Sequence, residues 1–133
     1  MIRAAAVVAG LVASVAIAEA CEPPSGFTPR GRLESAGVVV LFRTLPPVIA
    51  LGRHFSVEAV VCGDGTPPAL TRVDARMPEH RHGMNYRPTL ASKGGGRYVA
   101  DGLMFHMPGR WELSFDVEGG GRRTRLATDV VID

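Results

Sequence analysis

The sequence predicts an all-β fold, an immunoglobulin-like β-sandwich of about seven strands, and three observations carry that prediction. The stretch "RWELSFDV" (110–117) sets Trp111, Leu113, Phe115 and Val117 against Arg110, Glu112, Ser114 and Asp116 with a period of two and no exception, the alternation of a half-buried strand. Glycine and proline clusters punctuate the chain every eight to twelve residues or so, which is strand-and-turn spacing. After the N-terminal segment no stretch keeps a helical period for ten residues. A small Greek-key barrel satisfies the same pattern and stays open as the alternative.

Taken in order, the chain starts with Met1-Ile2-Arg3 and then runs apolar or small from Ala4 to Ala18, ending in the small-x-small pattern Ala18-Glu19-Ala20. That is the form of a secretory signal peptide, residues 1–20, with Cys21 first in the mature chain. The residues before Cys21 lack the leucine and small uncharged positions of a lipobox. No later stretch approaches the roughly 20 apolar residues of a membrane-spanning helix, so no membrane span is expected once the signal is cleaved, and a periplasmic or secreted location follows. Residues 21–36 hold three prolines and read as an extended leader, and 37–133 as the sandwich domain. Within it "VVVLFR" (38–43) is a β-branched run and "LPPVIALG" (45–52) a proline-marked connection. "FSVEAVVC" (55–62) turns Phe55, Val57, Ala59 and Val61 to one face. "GDGTPP" (63–68) is a break. "LTRVDARM" (70–77) separates Val73, Ala75 and Met77 from Arg72, Asp74 and Arg76. Gly94-Gly95-Gly96 is a loop, and Gly119-Gly120-Gly121 joins the Trp111 strand to "TRLATDVVI" (124–132) in an antiparallel hairpin.

Charge and cysteine content narrow the function classes. The full chain has 15 basic and 13 acidic residues and a net charge of +2, and the basic residues, all arginine except Lys93, are scattered rather than gathered into a stripe, which argues against nucleic acid. Cys21 and Cys62 are the only cysteines. Export puts both in an oxidising compartment, so a disulfide is expected in preference to a thiolate ligand. No nucleophile with a paired base, no phosphate loop leading into a helix and no close carboxylate pair is present, and the chain reads as a non-enzyme.

The chemistry concentrates in "MPEHRHGM" (77–84). Pro78 and Gly83 disfavour a helix. On an extended chain residues two apart share a face about 6.6 Å apart, so His80, His82 and Met84 project together. Imidazole suits zinc, copper, iron and nickel, whereas thioether sulfur is a soft donor that selects copper, Cu(I) above all. The mature chain's methionines, Met77, Met84, Met104 and Met107, all fall within 31 residues, together with three of the four histidines; core-filling methionine would be spread more widely. Pro108-Gly109 predicts a type II turn that presents Met107 at a loop end. The expected ligands are His80, His82, Met84 and Met107, with Met77 or His106 as additions. Met77 and Met104 suit a core position equally well, His106 suits a surface or supporting role, and His54 reads as ordinary.

"MPEHRHGM" followed by "GGGRYVADGLMFHMPGRWELSFDV" resembles the YtkA-like group of small exported bacterial domains, which is related to the FixH proteins; the likeness covers residues 70–118. It implies an immunoglobulin-like sandwich, a link to copper, and a copper transporter or oxidase-assembly protein as partner. A cleavable signal replaces the retained anchor of FixH proteins. The function expected is therefore a soluble periplasmic copper carrier or buffer. The alternative is a metal-free interaction module of an envelope or oxidase-assembly complex.

Overall fold

The computed structural model describes residues 21–64 and 67–133; the predicted signal peptide lies outside them. The described chain folds as a β-sandwich of two antiparallel sheets, with no α-helix and only one 3-10 turn. The strands are β1 (Gly31–Ser35), β2 (Val38–Leu45), β3 (His54–Gly63), β4 (Ala69–Met77), β5 (His82–Gly83), β6 (Thr89–Gly94), β7 (Arg97–Met104), β8 (Gly109–Gly119) and β9 (Arg122–Ile132). One sheet runs β1-β2-β3-β7-β6 and the other β5-β4-β8-β9. No backbone ladder closes the two into one cylinder, so the barrel alternative is set aside.

Nine strands stand where the sequence predicts about seven. The excess lies in edge strands, whose side chains carry little apolar signal because one face and one flank meet water. β1 falls inside the predicted leader and zips onto β2 from Gly31–Phe42 to Ser35–Val38. β6, "TLASKG", is almost wholly exposed and is held by pairing with β7. The hairpin between them needs glycine at 96: its φ is +78°, and a Cβ there would stand 2.6 Å from the Val61 carbonyl oxygen, which no side chain permits.

The predicted alternations hold. Phe55, Val57, Ala59 and Val61 of β3, Val73, Ala75 and Met77 of β4, and Trp111, Leu113, Phe115 and Val117 of β8 meet between the sheets with Val40, Leu103 and Phe105. Burying side chains of this size contributes about 1.5–3 kcal/mol each. The leader does more than cross the surface. Cys21 is bonded to Cys62, with Cα atoms 5.7 Å apart, and Phe27 sinks onto Leu41 and Val60 on the outer face of the first sheet. The Arg43 guanidinium lies 4.8 Å over the Phe27 ring and bonds Glu58 at 2.6 Å and the Gly26 carbonyl at 3.3 Å. A disulfide is what an oxidising compartment sustains, and no helix among the described residues is long and apolar enough to cross a membrane.

The outer face of the second sheet is a ladder of ion pairs. Asp116, buried on β8, accepts two bonds from Arg125 of β9 at 2.6 and 2.9 Å. That guanidinium holds the Asp116 carboxyl below the usual carboxylate range, against the opposing pull of burial. Arg76 meets Glu112 at 3.0 Å, and Arg72 pairs with Asp74.

Candidate metal site

β3 begins at His54, opposite Met104 at the end of β7; β4 ends at Met77; β8 begins at Gly109, opposite Ile132 at the end of β9. One end of the sandwich therefore gathers three connections: residues 46–53, 78–88 and 105–108. All four histidines and all four described methionines lie at this end. The clustering seen along the sequence is a clustering in space.

Within 78–88 the chain is not extended throughout, as the two-residue spacing predicts. Pro78–His80 form a 3-10 turn, with Pro78 in the first turn where its missing N–H costs nothing. Arg81 then takes a left-handed conformation, φ +54°, and only His82–Gly83 pair with β4 as β5. His80 and His82 nevertheless stay together, ring centroids 5.9 Å apart, because the tight turn bends the chain back on itself. Arg110 pins that turn from below, bonding Glu79 and Asp129 at 2.9 Å each. Both carboxylates raise its pKa and keep it charged.

The second segment supplies a third imidazole. His106 lies 5.2 Å from His82, and both rings stand edge-on to Trp111, at 5.5 and 5.9 Å. Trp111 is fully buried, stacks on Phe105 at 4.7 Å, and donates from Nε1 to the Met107 carbonyl at 3.0 Å. That bond fixes the loop 105–108 over the site. Pro108 stands on a bend and Gly109 already opens β8, with φ +122° in place of the φ near +80° expected of a type II turn. A Cβ at 109 would meet the Met77 methyl at 2.9 Å, so glycine also makes room for Met77.

The methionines divide. Met77 has no exposed surface and pairs in register with His82, serving the core beneath the site. Met84 and Met107 rest half-buried against the core edge. Met104 stands half-buried opposite exposed His54 in the β3–β7 ladder, outside the core cluster. His54 instead meets Tyr86 edge-on at 5.2 Å.

His82 Nδ1 lies 3.0 Å from the Gly83 carbonyl, which only accepts, so Nδ1 is the donor in that contact and Nε2 is the nitrogen left without a protein partner. His106 Nδ1 is buried and has no partner. Rings that share one ion through nitrogens about 2.0 Å from it have centroids about 5–6 Å apart, from near-tetrahedral to near-linear; both His pairs fall in that range. Stacking alone also produces such distances, so spacing does not decide; His106 Nδ1 stands out as a buried polar atom with no protein partner. Among the described residues no group of three or more His, Cys, Asp or Glu side chains is arranged to hold a metal ion. The three imidazoles form a row with His82 in the middle.

Sequence reasoning missed the Trp111 floor, the Arg110 clamp and the company of His54. Trp111 was legible as core, but nothing in "RWEL" signals that the indole N–H reaches back four residues. No family model matches this chain, and no curated protein matches it. A solved structure of a DUF4426 family protein from Pseudomonas aeruginosa PAO1 is similar to it at 15% identity and a TM-score of 0.49, over 77% of this chain and 96% of that one. A likeness of that degree carries no argument about function.

Proposed function

We propose that this chain is an extracytoplasmic copper-binding protein, a non-catalytic carrier or buffer that takes Cu(I) at the end of the sandwich defined by His82. The observation that carries the reading is the buried, unpartnered Nδ1 of His106 beside a His82 ring whose Nδ1 is taken by the Gly83 carbonyl. An idle buried polar atom costs about 1–3 kcal/mol, a cost that a ligated ion removes. His82 donates one Nε2, so the ion it holds is shared with His106 on the inner side or with His80 on the solvent side. Met84 and Met107 supply the soft sulfur that turns the preference from zinc to copper. The resemblance of residues 70–118 to the YtkA-like domains points the same way, toward a copper transporter or oxidase-assembly protein as the exchange partner.

Cu(I) is titrated into the purified, disulfide-bonded chain against a competing chelator. Binding tighter than micromolar is expected, and its absence would leave the second reading, a metal-free interaction module of an envelope complex. What favours that second reading is the lack of a three-residue His, Cys, Asp or Glu cluster among the described residues.

A further inference from the structure

The site at His82 draws on three histidines and leaves out His54; with Met77 in the core, it also leaves out Met104. These two residues, far apart in the chain, stand directly opposite each other where β3 begins and β7 ends. Both face away from the core, because their neighbours Phe55 and Leu103, paired next in the ladder, are buried on the inner side. His54 is exposed, and its ring meets Tyr86 edge-on at 5.2 Å, which limits the orientations of the imidazole.

A break in the alternation of β7 is what turns Met104 outward. Tyr98 and Ala100 pack on the core, so an unbroken strand would send residues 102 and 104 inward as well. Instead Leu103 and then Phe105 are the buried ones. The ladder slips between the pairs Phe55–Leu103 and Val57–Ala100, so that Asp101 and Gly102 together oppose the single residue Ser56. This is a β-bulge, with Gly102 at φ +88°, a conformation that glycine adopts without strain. Ser56 Oγ donates to Asp101 Oδ1 at 2.5 Å and staples it. An unbroken strand would bury the methionine, where a flexible apolar filler belongs. The bulge gives the core position to a leucine and delivers a thioether to the surface beside an imidazole, and re-aiming a side chain is what bulges near functional sites do.

Residues directly opposite in an antiparallel ladder have Cβ atoms about 4.5–5.5 Å apart. An ion bonded at about 2.0 Å to nitrogen and about 2.3 Å to sulfur needs its two donors no more than about 4.3 Å apart, a separation both side chains reach from those positions. The carboxylates of this face are engaged, Asp101 by Ser56 and Glu58 by Arg43. The donor pair is therefore imidazole and thioether, the set that favours Cu(I).

We propose that His54 and Met104 form a second Cu(I) site, open to solvent and separate from the one at His82. It shares no donor with that site, so either reading can fail alone. The disulfide-bonded protein, isotope-labelled at its methionine methyl groups, is titrated anaerobically with Cu(I) and followed by NMR. The native chain is compared with H82A/M84L/M107L, which lacks the first site. The Met104 resonance is expected to move in both, and in the native chain at the second equivalent, while that of Met77 stays in place. H54Q should weaken the Met104 response at least about tenfold with an unchanged melting temperature, since His54 is exposed. If Met104 responds in both proteins while Met84 and Met107 stay still in the native chain, the site at His54 stands and the reading at His82 falls. A Met104 resonance that excess Cu(I) leaves unmoved overturns the proposal, whatever happens at His82. An equal response in H54Q overturns it too, since Met104 would then bind as a lone thioether.

Discussion

His106→Phe separates a ligand from a structural histidine, because the two roles predict opposite signs of stability change. In the metal-free protein His106 Nδ1 is buried and bonds nothing, so the imidazole contributes only its packing against His82 and Trp111. A phenyl ring keeps edge contact with the indole and removes the orphaned atom. Relief of an unmet buried polar group is worth about 1–3 kcal/mol. Against it stands the larger ring, and overpacking a tight core costs about 1–3 kcal/mol. His106 is only half-buried, so the added volume has an outlet to solvent and the relief outweighs it. The net expectation is a gain of about 1 kcal/mol, which for a domain of this size raises the melting temperature by about 4–8 °C. Cu(I) affinity should fall at least about tenfold, since the substitution removes a donor atom worth more than about 1.4 kcal/mol. Thermal unfolding of the metal-free protein and chelator competition on the same preparation read both quantities. A melting temperature lowered by a similar amount with unchanged Cu(I) affinity would refute the reasoning, and would make His106 a packing residue whose Nδ1 is met by water.

Three further outcomes follow from the same geometry. Replacing Met84 and Met107 together with leucine should cost under about 1.5 kcal/mol for each volume-conserving exchange while weakening Cu(I) more than Cu(II), and His80→Ala with His82→Ala should remove Cu(II) first; equal losses of both ions in both variants would count against a mixed site. Asp116→Asn should cost about 1.5–3 kcal/mol, the range of a charged hydrogen bond. Because Arg125 lowers the folded pKa of Asp116 below its unfolded value, the contribution is fully present above about pH 4 and lost as pH falls through the folded value, so acid unfolding of the variant should be shallower below pH 4 in denaturant titrations. Cys21→Ser with Cys62→Ser opens a loop of 41 residues and should cost about 4 kcal/mol in the chain-entropy model, loosening the leader around Phe27 first, which amide exchange would detect; uniform exchange along the chain would contradict that order.

The sequence by itself determined the sandwich and most of its strands, because period-two alternation is imposed one residue at a time by which side faces the core. "RWELSFDV" and "FSVEAVVC" needed no knowledge of their partners, and Cys21 with Cys62 needed only their number and the compartment. It also determined which donors are available, since His80, His82, Met84, His106 and Met107 are legible as residue types. What only the tertiary structure decided was their arrangement and the edges. β1 and β6 are strands because a neighbour's unpaired backbone captures them, and "GRLES" and "TLASKG" hold no trace of that neighbour. Met77 is core and Met104 is on the outer face because β4 ends and β7 ends in a fixed register, while both sit in similar local alternation. His106 joins His82 because Trp111 Nε1 pulls the 105–108 loop inward and Arg110 anchors the turn of His80. Arg110 and Glu79 are 31 positions apart and Arg110 and Asp129 are 19, although Trp111 reaches back only four. Local pattern is blind to them because chain connectivity sets the period of a strand, whereas the closure of two sheets sets which loops meet.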